Sequence, residues 1–192
     1  MSSPYDLILV GGGLANGLIA LRLRQCQPHL NVLVIESAPH PGGNHTWSFH
    51  QDDLTDAQHE WVAPLVAHRW QGYDVRFPQL TRTLPGGYLS VTSDRFAAVL
   101  TQQLGGQLLT GTNVAGLTPT EVQLENGLTL HAGAVIDGRG YQPGPHLAVG
   151  FQAFLGQQWQ LSRPHGLVRP ILMDATVDQQ DGYRFVYTLP LS

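Results

Sequence analysis

The chain has 192 residues, 42% of them apolar, and its ten Lys and Arg against fourteen Asp and Glu leave a formal charge of -4. That length supports one ample core and a second, smaller lobe, while so few scattered cations build no basic stripe and exclude nucleic acid as a partner. Cys26 is the single cysteine and fits a packed thiol in a reducing cytoplasmic compartment; no run reaches the roughly 18 apolar residues of a membrane span, and no secretory signature opens the chain.

Tyr5 to Val10 is a continuous apolar run bounded by glycines, the pattern of a strand buried on both faces of a parallel sheet. Leu14, Leu18 and Leu21, with Ala15 and Ile19, recur at helical spacing opposite Arg22, Arg24 and Gln25, and predict an amphipathic helix ending near Pro28. Residues 31–35, NVLVI, form a second buried strand that closes on Glu36. Together these make one βαβ unit. APHPGGNHTWSFH, residues 38–50, is too rich in Pro, Gly and His for a regular element and predicts a long loop. Thr55 to Gln58 spells a capping box, so a helix starts there and Pro64 breaks it. Tyr73 to Phe77 and Gly87 to Val91 alternate as strands, and Ser93-Asp94 can cap a helix running to Gly105-Gly106. VQLENGLTL contains a hairpin turn at Asn126-Gly127, and a separate short apolar run, Val135-Ile136, leads into Asp137-Gly138-Arg139-Gly140. From Val149 onward the stretches lengthen, with Gly150 to Leu155 and Tyr183 to Leu189 reading as strands of a second, mainly antiparallel sheet that stops unfinished.

The chemistry concentrates at strand ends. In GGGLANG, residues 11–17, Gly11 permits a tight turn, Gly13 lets backbone approach a pyrophosphate, and the helix starting near Leu14 aims its free N–H groups at that phosphate. Asn16 stands where the GxGxxG pattern has its third glycine, and Gly17 follows one place later. Glu36 can accept hydrogen bonds from a ribose diol and would repel the extra phosphate of NADP, which leaves FAD or NAD. Two further glycine segments favour flavin: Pro41-Gly42-Gly43, where paired glycines let backbone pass a bulky cofactor, and Asp137 to Gly140 at a later strand tip. Trp47 and Phe49 either line an apolar substrate pocket or anchor the loop to the core. The nine His match no common ligand spacing, so no metal is expected.

The segments YDLILVGGGLANGLIALRL, GGNHTWSFH, VIDGRGY, VGFQAFLGQ and MDATVDQ together resemble the bacterial lycopene beta-cyclases of carotenoid biosynthesis, and the likeness runs over essentially all 192 residues. Asn16 belongs to that family's form of the loop. The resemblance implies an α/β flavoprotein with a Rossmann-like FAD-binding domain, 1–148, and an antiparallel β substrate domain begun at 149–192 and truncated at the C-terminus. It implies that linear ψ ends of lycopene close into β-ionone rings by protonation, cyclisation and proton loss, with reduced FAD required and NADPH as reductant. Gly11, Gly12, Gly13, Leu14, Ala15, Asn16 and Glu36 would hold the ADP part of FAD, and Gly43, Asp137, Gly138 and Arg139 would border the cofactor. The proton-donating acid is expected beyond Ser192, so the chain alone is expected to be inactive. A lipid-dissolved polyene also implies peripheral contact with the inner membrane. A flavin-dependent monooxygenase, a reductase, or a non-catalytic nucleotide-binding module would use the same cofactor domain.

Overall fold

Apolar runs and glycine punctuation set the early elements, and the computed structural model, which describes residues 4–141, 144–150 and 154–191, contains thirteen strands and three α-helices among those residues. In chain order they are β1 (Tyr5–Val10), α1 (Leu14–Cys26), β2 (Val32–Ile35), β3 (Thr46–His50), α2 (Asp56–Val62), β4 (His68–Trp70), β5 (Tyr73–Phe77), β6 (Leu80–Leu84), β7 (Tyr88–Thr92), α3 (Ser93–Leu104), β8 (Leu108–Leu109), β9 (Val114–Leu117), β10 (Glu121–Leu124), β11 (Thr129–Asp137), β12 (Ile171–Asp174) and β13 (Val186–Thr188).

The chain divides into two compact units, one of Met1–Trp47, Glu60–Val66 and Val91–Gln142, the other of Ser48–His59, Ala67–Ser90 and Pro143–Ser192. The expected boundary at 148/149 therefore moves. The second unit draws β5 and β6 from the middle of the chain, because β5 hydrogen-bonds to β12, which comes with β13 from its end.

The first unit is built on a six-stranded sheet in the order β8-β2-β1-β11-β10-β9. β8, β2, β1 and β11 run parallel, whereas β10 is antiparallel to both β11 and β9. The parallel part is a Rossmann-like arrangement in which the chain winds outward from β1 through β2 to β8 and then returns to the other side of β1 as β11. Ile8, Val10, Leu33, Ile35, Val122, Leu124 and Ala132 form one buried cluster, and Leu9 and Val34, pointing the opposite way, are fully buried too. Val135-Ile136 is not a separate strand. β11 is one nine-residue strand whose start pairs with β10 across the Gly127 turn and whose end pairs with β1. The α1 face turned inward also differs from the apolar stripe: Asn16, Gly17, Ala20 and Leu21 are buried. Small residues win there because α1 lies close against α3, whose Phe96, Val99, Leu100 and Leu104 line its inner face. Thr92, rather than Ser93 or Asp94, caps α3, its hydroxyl accepting from Arg95 N at 3.3 Å.

In the second unit β13-β12-β5-β6 form a four-stranded sheet. Two of its three pairings are antiparallel, and β12 with β5 is parallel. β3, β7 and β4 form a separate three-stranded sheet. TWSFH is thus β3 and not loop, held in a sheet beside β7. The capping box holds: Gln58 N donates to Thr55 Oγ1, and Thr55 N donates to Gln58 Oε1. Pro64 ends α2 in a 3-10 turn, Ala63–Leu65. The strand expected over Gly150 to Leu155 falls partly on residues outside those described; Phe154 and Leu155 are exposed and lie in no strand. Of Tyr183 to Leu189, only Val186–Thr188 is a strand. No helix among the described residues is long and apolar enough to cross a membrane, and no cluster of His, Cys, Asp and Glu among them could hold a metal ion.

Candidate functional site

The strand order reverses between β1 and β11, and in open parallel sheets the crevice beyond the carboxyl ends of such strands is where ligands bind. The first glycine loop leaves β1 there. Gly11 takes φ +97°, a conformation that L side chains rarely adopt, and a Cβ on it would lie 2.8 Å from the Gly138 carbonyl oxygen. Its N–H donates to the Ile35 carbonyl at 2.7 Å, while Gly138 N donates to Val10 O at 2.7 Å. Three strand ends, those of β1, β2 and β11, are thereby tied together at one edge.

Gly13 is the N-cap of α1. A Cβ built there would meet nothing within 4 Å, so the space in front of the helix start is open. The first helical hydrogen bond runs from Gly17 N to Gly13 O at 2.9 Å, which leaves the amides of Leu14, Ala15 and Asn16 in the first turn, where helical N–H groups have no intrahelical partner. An open face, first-turn amides and the positive end of the helix dipole fit a diphosphate. Asn16 is not turned toward that space. Its side chain, 2% exposed, donates from Nδ2 to Val10 O at 3.0 Å and to Gly11 O at 2.9 Å. The third glycine of a GxGxxG loop permits close packing of the helix; here the close approach is made at Gly17, where a Cβ would run into the Phe96 ring.

Glu36 sits at the end of β2 with its two carboxylate oxygens held separately. Gly12 N donates to Oε2 at 2.7 Å and Ala38 N to Oε1 at 2.7 Å, with the Ser37 hydroxyl 3.2 Å from Oε1. The carboxylate is half-buried, fixed against the glycine loop, and each oxygen retains acceptor capacity for a diol. In Pro41-Gly42-Gly43 the close approach is made to protein: Gly42 N donates to Gly12 O at 3.0 Å and a Cβ on Gly42 would lie 2.8 Å from the Phe96 ring. Gly43 is exposed. Pro41, fully buried, and Gly42 brace the loop, a role visible in the sequence only as a paired glycine.

At the end of β11, Arg139 grips Asp137 in a fork, Nε to Oδ1 at 2.9 Å and Nη2 to Oδ2 at 2.8 Å. That guanidinium holds the Asp137 carboxyl below its usual range. Trp47 packs edge-on against Phe96 with ring centroids 5.1 Å apart, so it anchors the segment after the glycine pair. Phe49 lies 6.2 Å from the His59 ring in the second unit. That unit also carries a hydroxyl cluster that sequence reasoning missed, because its members lie far apart along the chain: Tyr88 to Tyr187 at 2.7 Å and Ser48 to the buried Ser90 at 2.6 Å. Burial and the Tyr88 hydroxyl push the Tyr187 phenol well above its ordinary value.

A family model described as "Lycopene cyclase protein" matches residues 6–192. The chain is 62% identical over its whole length to the lycopene beta-cyclase of Pantoea ananas and covers 50% of that protein. It is 64% identical over 97% of its length to the lycopene beta-cyclase of Pseudescherichia vulneris, of which it covers 48%. The chain thus spans about half the length of the curated relatives it matches. Among solved structures, 2-methyl-3-hydroxypyridine-5-carboxylic acid oxygenase is similar with a TM-score of 0.55 at 16% identity over 68% of this chain and 38% of that one. A probable FAD-dependent monooxygenase from Pseudomonas aeruginosa gives a TM-score of 0.53 at 14% identity, covering 68% of this chain and 41% of its own. These two show a shared fold.

Proposed function

Since the chain belongs to the lycopene cyclase protein family, we propose that it supplies the FAD-holding half of a lycopene beta-cyclase, an intramolecular lyase or isomerase that closes the ψ ends of lycopene into β-ionone rings, giving beta-carotene. The observation that carries this reading is the edge where Gly11, Gly12 and Gly13 turn into α1 over open space, with the Glu36 carboxylate fixed beside Gly12. The first-turn amides of Leu14, Ala15 and Asn16 would take the pyrophosphate, Glu36 the ribose, and Gly43, Asp137, Gly138 and Arg139 would border the rest of the cofactor. Reduced FAD, replenished from NADPH, would supply negative charge that stabilises the cation formed when a terminal double bond is protonated. Glu36 would exclude a 2′-phosphate by like charge. The sheets of the second unit would belong to the substrate side, with Phe49 giving apolar surface to a polyene. The enzyme would meet its lipid-dissolved substrate as a peripheral protein at the cytoplasmic face of the inner membrane.

We further propose that the 192-residue chain binds FAD without turning over, a reading supported by its covering half of its relatives' length. The test is to incubate the purified chain anaerobically with FAD, NADPH and lycopene, alone and with the remaining half of a relative supplied in trans. Stoichiometric flavin, linear lycopene from the chain alone, and a cyclic product of unchanged mass from the pair are expected. A gain of oxygen or hydrogen in the product would reassign the chemistry to a monooxygenase or a reductase, and bound flavin with no turnover by the pair would favour a non-catalytic module.

A further inference from the structure

We infer that Asn16 is a positioning residue whose amide sets the Gly11 turn and the Gly138 turn against each other as one cofactor-holding edge; this rests on the reading of that edge as the FAD site. Two carbonyl oxygens, Val10 O at 3.0 Å and Gly11 O at 2.9 Å, converge on its Nδ2. Only donors satisfy carbonyls, so the position requires an NH2 group: Asp would bring an acceptor, Ser a single donor, and Gly none.

Val10 O accepts a second bond, from Gly138 N at 2.7 Å. One carbonyl therefore joins the Asn16 side chain to the turn after β11. The fit is also steric. A Cβ on Gly138 would collide with Asn16 Nδ2 and would lie 2.8 Å from its Cγ and 3.0 Å from its Oδ1. The amide thus occupies the room that the missing side chain of Gly138 leaves. In a GxGxxG loop a glycine meets its neighbours by having no side chain; here a buried amide does so by filling the gap and bonding across it. Because Asn16 lies in the first turn of α1, the same contacts orient the helix start whose amides would face the phosphate.

The experiment compares N16G, N16D, G138A and the double variant N16G/G138A with the parent chain, using flavin-fluorescence titration with FAD, the visible spectrum of the bound flavin and thermal melting. N16G and N16D, still folded by circular dichroism, should weaken FAD binding about tenfold or more and shift the bound-flavin spectrum. G138A should lose at least as much. The double variant should then recover, binding about tenfold more tightly than G138A alone, since the methyl takes the space that the amide has left. Losses that multiply in the double variant, or an N16G chain with parental affinity and spectrum, would overturn the inference. Failure of the parent chain to bind FAD would instead overturn the proposed function. The pairing would then be decided by the melting temperatures of the ligand-free chains, where rescue of G138A by N16G supports it and additive losses refute it.

Discussion

Replacing Gly17 with alanine sets two effects of known sign against each other. Alanine is better than glycine in a helix interior by about 1 kcal/mol, and Gly17 lies inside α1, so propensity alone predicts a gain. The neighbours predict a loss. The new Cβ would run into the Phe96 ring and lie 3.0 Å from Leu100 Cδ2. Phe96 is fully buried and braced by Trp47, so its ring cannot swing aside, and overpacking of this kind costs about 1–3 kcal/mol. The difference is a net loss of about 0–2 kcal/mol, or a melting point lowered by up to roughly 8 °C for a chain of this size. Thermal denaturation followed by the helical circular-dichroism signal reads it directly. Phe96→Leu shortens the obstructing ring, so in that background Gly17→Ala should become neutral or stabilising by about 1 kcal/mol. A higher melting point for Gly17→Ala in the parent chain would refute the claim that α1 and α3 meet through this glycine.

Glu36→Ala should weaken ADP binding and narrow the discrimination against ADP carrying a 2′-phosphate, measured by isothermal titration calorimetry; unchanged discrimination would remove Glu36 from the ribose site. The Asp137 carboxyl is held below its ordinary 3.8 by Arg139, so its contribution to stability is present above that value and is lost as pH falls through the lower folded one. Both side chains are about one-third exposed, which limits the contribution to below about 1 kcal/mol. Urea midpoints at about pH 6 and about pH 2 should therefore differ less in Asp137→Asn than in the parent. Tyr187 is shifted upward, so the stability it confers is complete below the ordinary phenol value of 10.0 and is lost as pH rises through its folded one. Tyr187→Phe should flatten the alkaline limb of the stability profile, and Tyr88→Phe should bring Tyr187 ionisation down in a spectrophotometric titration.

Local signals carried β1, α1, the capping box at Thr55 and the hairpin turn at Gly127 from sequence into structure, because each depends on neighbours a few residues away. That the glycine loop and Glu36 would lie side by side was legible for the same reason: the βαβ unit brings them together within thirty residues, and Gly12 N donates to the Glu36 carboxylate. What was not legible depends on long-range pairing. TWSFH looks like loop beside its prolines and glycines, yet it finds a place in the sheet with β4 and β7. β5 and β6 gave no sign of joining β12 and β13 from the far end of the chain. Asn16 is the instructive case: its departure from the glycine pattern was plain and its hydrogen bonds to Val10 and Gly11 are local, but its fit against Gly138 emerges only when β11 is laid beside β1.

Strand β11 begins at a hairpin and ends at the Gly138 turn beside β1, which makes it a ruler. Nine residues at about 3.3 Å each measure the distance from the Asn126-Gly127 turn to Gly138, with no slack between. Extra residues in the turn would bulge outward harmlessly. One residue gained or lost within the strand would reverse which side chains face the core and carry Gly138 off the Val10 carbonyl, so a length error near an exposed hairpin would be felt as a misplaced glycine at the opposite end of the sheet.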